Sequence, residues 1–386
     1  MSTIAITKPA YTCEKGIHRV TANVRGKPLW FESSDISLYP SAEAFTSAML
    51  IPAMEKGYNL KINAPLSSVW MSNITKMAGI LAKWWGYRDI EFDGVGHNIS
   101  CGEKPPRTAL CFSGGVDSFF TLLRGRHKID YLVFIHGFDI SLSDTERMNS
   151  FLSQLQDISR STSAKLVIIR TNMREHRTLS RVPWSRAHGG VLAAAAYLLS
   201  PHIQNMIISA SYPFKLDRPH GTHWEIDPLW SSESVQVIHE GAELWRAEKL
   251  RTIANEPLVR KYLRVCWENR GPWLNCCCCE KCIRTMVVLT QYGKLDDFSC
   301  FPDRASLVNH IDMLPFIDED LFVIYESFLA RGFEPQLAKS VRALLQRSRK
   351  KLWSRTARRF CVKNIRHIFR KVNSPFQKKQ RIMVNS

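Results

Sequence analysis

The sequence predicts an α/β fold built on a doubly wound, mostly parallel five-stranded sheet. Three observations carry that expectation. From Thr108 onward, short apolar runs alternate with amphipathic segments of helical period. The runs are apolar throughout, as strands covered on both faces are, and not at every second position. A glycine pair follows the first run directly and opens a helical segment.

Taken in order, residues 1–105 read as a separate N-terminal α+β accessory domain. His18–Val24 and Pro28–Glu32 are expected as short strands joined by a turn at Arg25-Gly26-Lys27. Ser41–Lys56 and Ser67–Trp85, rich in Ala, Met, Ile and Leu, are expected as helices, and no chemical motif lies there. Cys101–Arg107, with Gly102, Pro105 and Pro106, has the composition of a linker.

The second domain, 106–300, begins with the strand Thr108–Phe112, followed by the glycine loop and a helix through Leu123. Tyr131–Ile135 is the second strand. Asp144 suits the N-cap of a helix whose Met148, Leu152, Leu155 and Ile158 share one face. Leu166–Arg170 is the third strand and Arg186–Leu199 an apolar helix; Met206–Ala210 and Val235–Ile238 complete the five. Right-handed crossovers then place helices on both faces. Residues 301–330 read as a helical extension, and 331–386 as a basic amphipathic tail.

Composition removes several classes. A 45% hydrophobic content over 386 residues is enough for a large core. No apolar h-region opens the chain, and the longest apolar run, Val191–Leu199, is far short of a membrane span. A cytoplasmic protein is expected. The formal charge of +18 is a local property: 17 of the 53 Lys and Arg, but one of the 35 acids (Glu334), lie beyond residue 330. The body is near neutral, so the charge does not make the whole chain a nucleic-acid binder. In the tail, Val341, Leu344, Leu345, Leu352, Phe360, Ile365, Ile368 and Val372 recur at helical spacing among Lys and Arg. Such a helix either docks its apolar stripe on the body or lies on an anionic membrane surface or RNA. A protein peripheral to a membrane is one form of the second case. Pro375 and Lys378–Arg381 have a disordered composition.

Chemistry concentrates in two places. The first is Ser113-Gly114-Gly115-Val116-Asp117-Ser118. Glycines after a buried strand let backbone approach a ligand, and the following helix N-terminus presents N–H groups and positive dipole to a phosphate. Ser113 and Ser118 add hydroxyls. Asp117 does not favour a bare phosphate; it either meets Mg²⁺ or caps the helix. No Walker GxxxxGK[ST] is present.

The second is a cysteine cluster. Five of the eleven cysteines fall between Cys276 and Cys282, a metal-ligand density and not a disulfide framework. Cys266, Cys276, Cys279 and Cys282, spaced C-x9-C-x2-C-x2-C, suit tetrahedral Zn²⁺, with Gly271, Pro272 and Asn275 supplying the turn. Cys277 and Cys278 are surplus and leave the ligand choice open, and an iron–sulfur cluster is the rival occupant.

The SGGxDS loop at the end of a first strand resembles the PP-loop ATP pyrophosphatases, of adenine nucleotide alpha hydrolase-like fold. That resemblance implies ATP, with Mg²⁺, split to AMP and pyrophosphate, and AMP placed on a carbonyl or carboxylate oxygen. Arg246-Ala247-Glu248-Lys249-Leu250-Arg251-Thr252-Ile253-Ala254 is similar to the lysine-bearing helix start found late in those enzymes, which implies that Lys249 neutralises phosphate charge. With the cysteine spacing and the following Arg284, residues 108–290 resemble the 7-cyano-7-deazaguanine synthase family. That likeness implies an ATP-dependent ligase that amidates a small carboxylate or nucleobase-like substrate, with structural zinc.

The middle departs from that family. Trp184-Ser185-Arg186-Ala187-His188-Gly189-Gly190 stands where a base-holding segment is expected, and Tyr212–Trp230 carries Arg218, His220, His223, Glu225 and Asp227. Arg218, His220, His223, Glu225 and Asp227 form the candidate substrate pocket, with His188 the candidate general base. A divergent relative acting on another small molecule is expected. The rival readings are a tRNA-modifying PP-loop enzyme and a non-catalytic nucleotide- or membrane-binding protein.

Overall fold

The structure is a computed structural model and describes residues 2–94, 96–97 and 106–354. Its N-terminal part runs β1 (Thr3–Ile6), β2 (Ala10–Glu14), β3 (Ile17–Val24), β4 (Lys27–Ser33), α1 (Ala42–Lys56), β5 (Asn59–Ile62), β6 (Leu66–Ser67), α2 (Ser68–Trp85), β7 (Phe92–Asp93) and β8 (Gly96–His97). There follow β9 (Thr108–Cys111), α3 (Val116–Leu123), β10 (Tyr131–His136), α4 (Thr145–Thr162), β11 (Lys165–Thr171), α5 (Trp184–Leu198), β12 (Asn205–Ser209) and β13 (Gln236–Glu240). Helices α6 (Arg246–Ile253), α7 (Pro257–Tyr262), α8 (Glu280–Gln291), α9 (Leu307–Met313) and α10 (Phe322–Ala330) come next, and residues 335–354 form α11.

The five predicted strands lie side by side in the order β13-β12-β9-β10-β11, every neighbour parallel. All six residues of β10 are buried, because helices cover both faces. Val133 and Ile135 share a core with residues of α1 and α5. On the opposite face Phe134 meets Phe151 of α4 and Phe112 meets Phe119 of α3, both edge to face. Asp144 caps α4 as expected, its carboxylate accepting from the Arg147 N–H at 3.2 Å.

The N-terminal residues do not form a separate layer. β4 pairs antiparallel with β11, and the sheet continues through β3, β1, β5 and β7, with β2 also paired to β3, eleven strands in all among the described residues. β3 and β4 are joined by Arg25 and Gly26, both at positive φ, which suits a two-residue hairpin turn. The physical reason for continuity lies at β11, whose free edge would otherwise expose unpaired backbone. Asn172 extends the junction, accepting from the Trp30 N–H and donating to the Pro28 carbonyl. The linker expected at Cys101–Arg107 falls mostly outside the described residues.

Two compact units emerge. One takes Met1–Cys276 with Asp296–Pro302, and the other takes Cys277–Leu295 and the chain from Asp303. In the second, α11 buries Leu337, Val341, Leu344 and Leu345. Its Ser348 Oγ accepts from the Ile317 N–H at 3.0 Å, and Arg347 donates to the Ile311 and Leu314 carbonyls. The first part of the basic segment is therefore built into a folded unit, where the sequence set it apart from residue 331. The remainder of the expected amphipathic helix, and Pro375 and Lys378–Arg381, lie outside the described residues. No helix among the described residues is long and apolar enough to cross a membrane.

Candidate phosphate loop and cysteine centre

β9 delivers the chain to Ser113, exposed at the loop's tip. Gly114 has φ of +73°, and a Cβ there would sit 3.0 Å from the Phe151 ring, so both conformation and space call for glycine. Ser113 Oγ accepts from the Gly115 N–H at 3.3 Å, and Ser118 Oγ donates to the Gly115 carbonyl at 3.1 Å. Gly115 is the N-cap of α3, without a side-chain capping bond. Asp117 lies in the first turn and does not cap the helix, which removes one of its two expected roles.

Its carboxylate instead gathers cations. Asp117 Oδ2 pairs with Arg246, and Oδ1 lies 3.3 Å from Lys249 Nζ. Lys249 also donates to the Ala210 carbonyl at 2.6 Å and is 1% exposed. Strand order explains the meeting. The chain turns outward from β9 to β10 on one side and to β12 on the other, so the strand order reverses at the carboxyl ends of β9 and β12. The glycine loop leaves β9 there, Ala210 directly follows β12, and α6 packs against α3. Sequence reasoning missed Arg246 as a partner of Asp117. The available signal was its position three residues before Lys249, which puts both on one helix face.

His188 belongs to a different group. Its Nδ1 donates to the Trp184 carbonyl at 2.9 Å, so Nε2 carries the lone pair and lies 3.4 Å from Thr222 Oγ1. The ring packs 4.7 Å from His220, whose pKa burial pushes down to about 3, with His188 adding to the shift. Arg218 lies over Tyr212, which meets His220 edge to face. His223 links the rest of the predicted set. Its backbone N–H reaches Asp227, its Nδ1 accepts from the Glu225 N–H, and Nε2 meets Asp217 at 3.1 Å.

Asp217, His223 and Glu225 hold their donor atoms within 4.8 Å of one another. The Glu225 N–H at Nδ1, however, fixes the proton of a neutral ring on Nε2, the atom a cation would need. Asp227, fully buried, also pairs with His239 Nδ1 at 2.7 Å, a partner not singled out in the sequence. Gly189 and Gly190 serve packing. A Cβ on Gly189 would lie 1.8 Å from the Gly221 carbonyl oxygen, and one on Gly190 would lie 2.3 Å from that of Ser47.

At the cysteine centre, the Sγ atoms of Cys266, Cys276, Cys279 and Cys282 all lie within 4.8 Å of one another. Tetrahedral Zn–S bonds of about 2.3 Å put thiolates roughly 3.8 Å apart, so this quartet can hold a zinc-like ion. Cys279 opens α8 and its sulfur accepts from the Cys282 N–H at 3.5 Å; Cys266 Sγ accepts from the Asn269 N–H at 3.3 Å. Such donors stabilise thiolate charge. Asn275 folds the turn, accepting from the Val265 and Cys266 N–H groups and donating to the Leu263 and Cys300 carbonyls. Arg147 binds the carbonyls of Asn269, Gly271 and Trp273. The segment also touches the glycine loop, through the Arg264 N–H to the Gly114 carbonyl at 2.8 Å. Cys111, just before that loop, has its thiol pushed up to about 12 by burial, with Asp227 adding to the shift, and stays protonated.

No protein-family model matches the chain, and no curated protein matches it. A solved Type III CRISPR defence DNA nuclease activated by cyclic oligoadenylate is similar at 11% identity, over 86% of this chain and 54% of that one, with a TM-score of 0.22. The chain thus spans about half the length of that nuclease, and a likeness of this size carries no functional argument.

Proposed function

We propose that the chain is an ATP-dependent ligase of the PP-loop type, splitting ATP to AMP and pyrophosphate and activating a small carboxylate or nucleobase-like substrate for amidation, similar to 7-cyano-7-deazaguanine synthase. The observation that carries the reading is the meeting of Asp117 and Lys249, 132 residues apart, at the N-terminus of α3 beside the Ser113–Ser118 loop. Bound ATP supplies the chemistry, an activated phosphoanhydride whose cleavage makes the substrate oxygen a leaving group. The chain's own part is positioning and charge neutralisation. Ser113 and the Gly114–Val116 backbone would face the phosphates, and Ser118 would hold the loop's shape. Lys249 would offset developing charge. Mg²⁺ at Asp117 would have to displace Arg246 or Lys249 from it. His188, with its lone pair on Nε2, is the proposed general base.

The quartet Cys266, Cys276, Cys279 and Cys282 would bind zinc structurally, since four thiolates leave no position for substrate. An anionic partner, membrane surface or RNA, is supported by α11, whose Lys339, Arg342, Lys350 and Lys351 are exposed. The test supplies the purified protein with ATP and a cellular small-molecule extract and follows phosphorus products by ³¹P NMR. AMP with pyrophosphate is expected, and Ser113→Ala should lower the yield about 10²–10³-fold. ADP and phosphate as the sole products would overturn the proposal.

A further inference from the structure

We infer that Arg246, and not Lys249, is the cation that contacts the anionic ligand of the glycine loop, while Lys249 keeps Asp117 neutralised when Arg246 turns away. The inference rests on the phosphate-site reading above and changes which residue does the binding. Both cations lie on one face of α6, and Asp117 stands between them, one oxygen to each. They differ in what they can give up.

Lys249 is 1% exposed, with Nζ held by Asp117 and by the Ala210 carbonyl, over the Phe120 ring at 5.8 Å. Turning it to a ligand would take that donor from the buried Ala210 carbonyl and pull a side chain that is 1% exposed out of its place over Phe120, a costly exchange. Arg246 is 21% exposed and occupies the first position of α6, directly after the N-cap Trp245. The positive end of the helix lies there, and a guanidinium offers a planar fork that fits phosphate oxygens two at a time. Moving Arg246 from Asp117 to a phosphate exchanges one anion for another. Asp117 then still holds Lys249, so no buried charge is left alone. The arrangement lets the site open one cation to a ligand without unpairing the other.

The test measures binding of inorganic pyrophosphate and of ATP to the full chain by titration calorimetry, beside thermal unfolding. Arg246→Ala should weaken both ligands roughly ten- to hundredfold, the worth of a charged hydrogen-bonded contact, with little change in the melting midpoint. Arg246→Gln, which can still hydrogen-bond Asp117 without a charge, should show the same loss and covers the case in which alanine unfolds the protein. Lys249→Met should lower the melting midpoint more than either. Pyrophosphate bound as tightly by folded Arg246→Ala and Arg246→Gln as by the wild type overturns the inference. Wild-type protein that binds neither probe overturns instead the phosphate-site reading beneath it.

Discussion

Lys249 Nζ lies 3.3 Å from Asp117 Oδ1, so a residue of the first helical turn after β9 is tied to one on a helix that follows β13. The lysine is 1% exposed and the carboxylate 12%. Removing one member of a buried ion pair typically costs about 3–5 kcal/mol, because the partner's charge remains. Asp117→Ala should therefore destabilise the chain by an amount of that order, read from urea unfolding. Wild-type stability in that variant would show that Lys249 finds other compensation.

The cysteine centre should bind about one metal ion per chain, with zinc expected. Elemental analysis should find that content lost in Cys279→Ser and Cys266→Ser and retained in Cys277→Ser and Cys278→Ser, whose sulfurs are outside the quartet. Metal-free protein should melt earlier, since metal affinity is folding free energy in a four-thiolate site. Iron with acid-labile sulfide would replace zinc by a cluster.

The central sheet was legible because its strands are apolar on both faces and bounded by glycine, proline or capping residues. Tyr131–Ile135 and the Asp144 cap are examples. The pairing of Phe31 with Thr171 was not legible, because a non-local antiparallel contact leaves no periodic trace in either segment. Glycines are opaque for a related reason. Gly114 answers a φ of +73° and Gly189 a close backbone approach, and the sequence alone writes both the same way. The Cys quartet was legible from spacing, but the exclusion of Cys277 and Cys278 needed sulfur positions.

Gly189→Ala should be severely destabilising, since its Cβ would have to occupy space 1.8 Å from a backbone oxygen of Gly221 and neither segment can yield by a side-chain rotation. Gly79→Ala is the control. It lies within α2, has ordinary φ and meets nothing within 4 Å, so alanine there should add about 0.5–1 kcal/mol. Chemical denaturation of the two variants should move in opposite directions. Equal midpoints would contradict the close approach of α5 and the Gly221 turn.

His220 makes stability depend on pH. Its folded-state pKa is lowered by burial, and further by His188, from 6.5 to about 3. Above about pH 6.5 folded and unfolded chains both carry it neutral, and its contribution is fully present. Below 6.5 the unfolded chain takes up the proton first, so stability falls by roughly 1.4 kcal/mol per pH unit until the folded pKa is reached. His223 is shifted in the same direction by burial. Urea midpoints between pH 7 and 4.5 should fall less steeply in His220→Gln than in the wild type. Parallel slopes would show that this ring is hydrated in the folded protein.

The basic segment predicts two truncations with opposite outcomes. A chain ending at Ala330 removes α11, and with it Leu337, Val341, Leu344 and Leu345, four buried apolar side chains of the second unit. At about 1.5–3 kcal/mol for each buried leucine or valine, few domains of ordinary stability survive that loss, and an early, broad melt is expected. A chain ending at Ser354 keeps those contacts. It removes only residues 355–386, which hold ten Lys and Arg and no acid. That shorter protein should melt near the wild type and retain pyrophosphate binding, while its salt-sensitive association with anionic vesicles or RNA weakens with the ten cations removed. Each phosphate contact removed should flatten the slope of log K against log salt by a little under one for duplex contacts. Unchanged polyanion binding in the Ser354 chain would place the polyanion-binding surface on α11 alone, where Lys339, Arg342, Lys350 and Lys351 are exposed.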